Sequence, residues 1–411
     1  MVTLSPLQEG LGFVLVGFWL GYIGYRIEYH RAPFWLYFVL IVKVLAGWGV
    51  GWLYANYYCH GDILKAYLTA GRLAYYLGTA PADGLALLFR EFSSSWEARG
   101  WEIFFRDIRL YGYDYEWSEP SNYFFYRLLV PLYLAAGGGY YGLQGLMALA
   151  GGLLGYAAYR RWQRVGALPE RFWIVWFLMP SALVWTSGAL RDTLAIPLLL
   201  YGTAWVASVH SIKDMGGAAA LLLLAFLRPE ALPIAVVMGA LYRWNSRWLL
   251  LLVVGVSIVL LGKVIGPWCY TYRTEALDPR IHPEVVEGSV FQLAYEPSFW
   301  GSLMGWLKAI PYGLLGPFPG QVKKILPLFY MVEVWVLAGL GVYWAARAQW
   351  TLRAILLILG GTFIVGVIAM AVPFWGTLAR QRLYGLYFIA IGVGLAVQPT
   401  FQKGQHRSSE S

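Results

Sequence analysis

Charge is scarce in this chain. Asp, Glu, Lys and Arg make up 13% of its 411 residues, while 59% are hydrophobic. A soluble protein carries about twice that charged share, so a string of soluble domains is excluded. Cysteine is nearly absent: two residues cannot define a disulfide framework or a cysteine metal cluster. His60 and His282 lack a paired spacing such as HxxxH or HxH, which leaves a metal site without sequence support. No internal repeat is present, and no low-complexity tract occurs beyond the short polar tail. No Lys or Arg precedes the first apolar run, which argues against a cleaved signal peptide.

What is abundant is apolar sequence in long runs. A spanning helix needs about 20 mostly apolar residues. Candidate spans are 11–25, 34–57, 141–159, 172–185, 194–209, 249–265, 326–345, 354–372 and 383–397, with a split segment, 218–242, broken by "LRPEALP". The expected fold is therefore an all-α polytopic membrane protein of about 9–12 transmembrane helices. Residues 1–399 form one transmembrane domain and 400–411 a polar cytoplasmic tail.

The net charge of +9 falls largely in short loops: "YRIEYHR", "YRRWQR", "YRWNSR" and "RAQWTLR". Basic short loops mark the cytoplasmic side, which explains the charge better than nucleic-acid binding does. This orientation places two long segments outside, 58–140 and 267–321. The first contains "SSWEARGWEIFFRDIRLY", whose apolar and charged residues separate onto two helix faces, as in a helix lying in the membrane interface. Only one span fits between this loop and "YRRWQR". Residues 123–136 are therefore expected on the outer leaflet, with "GGG" (137–139) turning the chain into the span at 141–159.

Four outer turns then share one membrane face. "CHGDILKAY" carries Asp62 and Lys65, "SGALRD" carries Arg191 and Asp192, "LRPE" carries Arg228, and "WGTLARQRLY" carries Arg380 and Arg382. Arg offers a rigid fork suited to phosphate, and a carboxylate can take a proton from a hydroxyl. Together they suit attack of a hydroxyl on a carbon that bears a phosphate leaving group. Each feature has a plainer reading. Asp62 can be a helix-cap residue, and Arg191 with Asp192 a local ion pair. Arg228 is harder to dismiss, because a charge beside a proline break in a membrane segment is costly. "YGYDYEWSEPSNYFFY" mixes tyrosines, a tryptophan and acids. Tyr115, Trp117 and Asn122 are candidates to line a sugar, although aromatics also gather at interfaces without a ligand.

The layout resembles the GT-C class of membrane glycosyltransferases, in which a carboxylate in the first outer loop serves as base. Asp62 in "HGDILKAY" matches that position. The chain is also similar to a group of uncharacterised bacterial envelope polysaccharide-associated proteins, through Gly61-Asp62 with Tyr67, Asn122 with Arg127, and "MPSALVWTSGALRD". The resemblance implies a GT-C-like fold with outer-leaflet juxtamembrane helices, in the bacterial inner (cytoplasmic) membrane. It implies a site facing the periplasm and transfer of a sugar from a polyprenyl-phosphate carrier to an acceptor hydroxyl with inversion. The acceptor would be a glycan, a lipid or a protein. Asp62 would be the base, and Arg191, Arg228, Arg380, Arg382 and Lys65 would hold the lipid phosphate. Asp192 would orient Arg191, and Tyr115, Trp117 and Asn122 would contact sugar or acceptor. Two departures stand out: Asp62 has no acidic neighbour, and no soluble outer domain follows the spans. No cofactor is assigned, and a divalent metal is left open. Two rival functions are an O-antigen-type polysaccharide polymerase or ligase, and a lipid-linked sugar flippase or transporter.

Overall fold

The computed structural model describes residues 5–29, 33–58, 61–89, 120–166, 168–169, 172–208, 215–278, 290–291, 293–321 and 325–408. The regular elements among these residues are helical. The β-type pairing is one isolated bridge between Val290 and Phe374. In chain order the helices are α1 (Pro6–Tyr29), α2 (Phe34–Trp52), α3 (Asp62–Thr79), α4 (Pro81–Phe89), α5 (Pro120–Ala135) and α6 (Tyr140–Arg164). Then come α7 (Trp173–Leu178), α8 (Pro180–Trp185), α9 (Arg191–Ser208), α10 (Met215–Leu227), α11 (Ala231–Trp244) and α12 (Arg247–Leu260). The last are α13 (Gly266–Ala276), α14 (Phe299–Leu315), α15 (Ile325–Ala345), α16 (Leu352–Ala371), α17 (Trp375–Gln381) and α18 (Leu383–Ser408).

Five segments are long and apolar enough to cross a membrane: Pro6–Arg26, Phe34–Tyr57, Leu251–Ala276, Leu328–Ala345 and Leu352–Ala371. Met215–Leu227, Ala231–Trp244 and Leu383–Val397 are shorter apolar helices. Backbone polar groups have no water to bond in a bilayer, so helices that satisfy themselves internally are the form such sequence takes.

The chain divides into two compact units. One is Met1–Tyr156, Leu183–Leu199 and Ala218–Pro233; the other is Ala157–Ala182, Leu200–Gly217 and Ile234–Ser411. In the first unit, α6 starts where Glu9 of α1 accepts the backbone N–H groups of Tyr140 and Tyr141 at 2.7 and 2.9 Å. A carboxylate at a helix N-terminus satisfies orphan donors and meets the positive end of the dipole. The expected glycine turn lies just before it, with positive φ at Gly137 and Gly138. On α2, a Cβ at Gly47 would sit 2.1 Å from the carbonyl oxygen of Ser187, so only glycine lets that helix meet the 186–190 turn.

The second unit is built on α16 and α18, which touch at small residues: a Cβ on Gly361 would lie 2.6 Å from the Gly385 carbonyl oxygen. Small residues of this kind allow close backbone approach between membrane helices. Thr351 caps α16 by accepting the Ala354 N–H at 3.2 Å. Its other end is held by Arg273, whose Nη1 lies 3.4 Å from the carbonyl oxygens of Ala369, Met370 and Val372. Arg273 Nη2 also donates to the Phe291 carbonyl.

Two expected boundaries differ. The span at 172–185 is two six-residue helices, α7 and α8. Each is about 9 Å long and cannot cross a bilayer alone. Proline disfavours helical geometry in the residue before it, so the break falls at Met179, whose ψ is 124°. The second outer segment was expected to begin at Pro267, yet the helical path runs through to Ala276. Residues Leu261–Ile265 widen into a π-turn in which Gly266 N–H bonds to the Leu261 carbonyl. Pro267 then follows without needing a donor of its own.

Candidate active site

Asp62 opens α3. Its neighbour Gly61 has φ 112°, and a Cβ there would lie 2.6 Å from the Tyr54 ring. Both facts demand glycine, so "HGD" places the carboxylate at a helix start. An acid in the first helical turn is favoured by the macrodipole. Asp62 is exposed and Lys65, one turn on, is half-buried. Tyr67 faces inward and donates to the Gly138 carbonyl at 3.1 Å. Burial pushes its phenol well above the ordinary value, with Tyr133 and Glu9 adding to the effect, so it acts as a neutral donor.

Ile63, next to Asp62, meets the turn at residues 186–190. A Cβ on Gly188 would lie 3.2 Å from Ile63 Cδ1 and from Gln144 Oε1. That turn is tightly held. Ala189 N–H donates to Gln144 Oε1 at 2.7 Å, and Thr193 Oγ1 donates to the Gly188 carbonyl at 2.6 Å. Lys43 Nζ donates to Thr186 Oγ1 at 2.7 Å. The turn ends in Arg191 and Asp192, the first residues of α9. Arg191 Nη1 donates to Ser121 Oγ at 2.7 Å, which ties the turn to the start of α5. Asn122 is buried beside Ser121. One turn on, Arg127 lies over the Tyr123 ring at 3.9 Å.

The break between α10 and α11 falls at "RPE", as the two prolines predict. Pro233 sits in the first turn of α11, where its missing N–H is tolerated. Arg228 reaches back to α9. Its Nη2 lies 3.2 and 3.4 Å from the two oxygens of Asp192, and its Nη1 lies 3.2 Å from Glu230 Oε1. Asp192 is 1% exposed and Arg228 8%. The two charges at 191–192 were expected at an open hairpin turn, but Asp192 is sealed inside. Asp192, which the sequence assigned to orienting Arg191, is engaged by Arg228. Two carboxylates already share the Arg228 fork and offset its charge, which weakens its pull on a phosphate.

Arg380 and Arg382 belong to the second unit. Arg380 is half-buried, whereas Arg382 is buried and donates from Nη1 to the Gly316 carbonyl at 2.7 Å. Burial pulls the Arg382 guanidinium below its ordinary value, while Glu333 and Tyr330 act the other way. Its shown contact pins the loop after α14. Tyr115, Trp117, Cys59, His60 and His282 lie outside the described residues. Cys269 is a buried free thiol. Among the described residues, no three His, Cys, Asp or Glu gather as a metal site.

Two residues escaped sequence reasoning. Lys43 sits in the middle of α2, and Glu333 sits in α15, where it accepts the Ser181 N–H at 2.9 Å and the Ser181 hydroxyl at 2.8 Å. Both are buried. The signal was present, since each is a lone charge inside an apolar run, "LIVKVLAG" and "YMVEVWVL".

Taken together, the described residues form an all-helical protein with five helical segments long and apolar enough to cross a membrane and a buried polar cluster at the turns of its first unit. No family model, curated protein or solved structure matches the chain.

Proposed function

We propose that the chain is an integral membrane glycosyltransferase of GT-C-like architecture. It moves a sugar from a polyprenyl-phosphate carrier to an acceptor hydroxyl at the outer face of the bacterial inner membrane. The supporting observation is the junction of three turns: the helix start bearing Asp62 packs through Ile63 on the turn that presents Arg191, and Arg191 is bonded to Ser121. An exposed carboxylate and a positioned guanidinium are thereby carried on elements in direct contact.

The chemistry is a single displacement. The acceptor hydroxyl gives its proton to the Asp62 carboxylate and its oxygen attacks the anomeric carbon. The bond from that carbon to the carrier phosphate breaks on the opposite side, which inverts the centre. The phosphate leaves with an added negative charge, and Arg191 offsets it. The Asp192–Arg228 pair fixes the start of α9 and so aims Arg191. Lys65, Asn122, Arg380 and Arg382 remain candidates for carrier or acceptor contact. Purified protein supplied with a panel of polyprenyl-phosphate hexoses and pentoses should release free polyprenyl phosphate from at least one. Silence across the panel, with folded protein and an acceptor extract present, would oppose this reading. Turnover only with diphosphate-linked oligosaccharides would point to a polymerase or ligase.

A flippase or transporter is the second reading. It is favoured by Lys43 and Glu333, because buried ionisable groups inside spanning helices mark substrate or ion pathways. Movement of a lipid-linked sugar between leaflets without covalent change would select it.

A further inference from the structure

In the second unit, α7 and α8 border one side of an open groove of about 480 Å³, and α15 forms the other. The volume falls in the range of small-molecule sites, about 300–1,000 Å³. Its walls include Ile174, Leu178, Phe329, Val332, Val336 and Leu340, and they are hydrocarbon apart from Glu333 and the Met179 thioether. From Leu328 to Leu340 the lining follows one stripe of α15, about 18 Å at 1.5 Å per residue. Phe329, Val332 and Val336 are each more than half exposed, and they lie on the candidate span Leu328–Ala345. The groove therefore opens sideways, toward lipid.

Glu333 gives this groove a chemical preference. Each carboxylate oxygen takes one hydrogen bond from Ser181, which leaves further acceptor capacity on both. The buried Arg382 guanidinium offsets part of the Glu333 charge, but Arg382 does not line the groove, so the group a ligand meets there is the carboxylate, which favours a hydrogen-bond donor, above all a cation, over a phosphate. The geometry points to a binding site for a membrane amphiphile with one apolar chain ending in an amine or hydroxyl. The chain lies along α15 and the donor end meets Glu333. This inference is independent of the glycosyltransferase reading and uses none of its residues.

Photolabelling tests it. Full-length protein in phosphatidylcholine nanodiscs is exposed to three diazirine probes of equal chain length, ending in an amine, a hydroxyl and a phosphate monoester. Saturable labelling of peptides spanning 174–180 and 328–340 is expected, with the amine about tenfold ahead of the phosphate ester, as a charge-assisted hydrogen bond allows. Glu333→Gln should bring the three probes to within about twofold of one another, since a neutral amide no longer selects by charge. Val336→Trp fills the groove without touching the carboxylate and should suppress labelling by all three. If Glu333→Gln does not fold, the wild-type ranking and Val336→Trp decide. The site is refuted by labelling there that fails to saturate, by labelling that survives Val336→Trp, or by a phosphate ester that labels as well as the amine.

Discussion

Asp192 and Arg228 show what a single residue contributes here. Each is buried, and their charges lie 3.2 Å apart. Removing one partner of such a buried pair costs about 3–5 kcal/mol, because the remaining charge loses its buried counter-ion. Asp192→Asn should therefore lower stability by about 3 kcal/mol in denaturant titrations of the detergent-solubilised protein. Glu230 also touches Arg228, but its side chain is 63% exposed. Glu230→Ala should cost less than about 1 kcal/mol in the same titration. Gly61→Ala is a different case, because the residue combines a positive φ with the Tyr54 ring beside it. That change should destabilise by about 1–3 kcal/mol, and Tyr54→Ala in the same chain should recover only the part due to the ring. The proline break at Arg228 and the helix start at Asp62 were legible in the sequence, because proline and glycine act locally. The pairing of Asp192 with Arg228 was not. The two are 36 residues apart, and adjacency in "RD" gives no sign of a partner that distant.

At the scale of elements, long apolar runs announced their helices reliably, while the ends and breaks depended on tertiary partners. Nothing near residue 140 in the sequence reveals that its helix is capped from Glu9, 131 residues away. Glu9→Ala should loosen the first turn of α6 and cost about 1 kcal/mol, the usual worth of a side-chain cap. Faster hydrogen exchange at Tyr140 and Tyr141, with little change at the centre of α6, would check this. A uniform rise along the helix would contradict it. The break at Met179 and the π-turn before Pro267 share one cause, since proline removes a donor and restricts the residue before it. One ended a helix and the other did not. The difference is that the wide turn Leu261–Ile265 absorbs Pro267, and no sequence period signals such a turn.

For the whole molecule, composition decided the class. A chain this apolar and this poor in charge forms membrane helices, and the helical content agrees. Composition gave no orientation beyond the basic loops. On the proposed orientation the "RPE" turn lies outside and "YRRWQR" inside. In a Cys59→Ser background, Glu230→Cys should react with a membrane-impermeant maleimide on intact cells, and Arg160→Cys only after lysis. Cys269 is buried and should stay silent in both. The reverse labelling would invert the topology and remove the proposed outer site.

The most direct measurement concerns Asp62. With a donor that supports turnover, polyprenyl-phosphate release is compared among wild type, Asp62→Asn and Asp62→Glu, each checked for an unchanged melting temperature. Loss of a general base costs about 10²–10⁴-fold in rate. If Asp62 is the base, Asp62→Asn falls by that factor while donor affinity holds, and Asp62→Glu retains part of the activity. A well-folded Asp62→Asn protein that turns over at the wild-type rate would contradict the assignment outright.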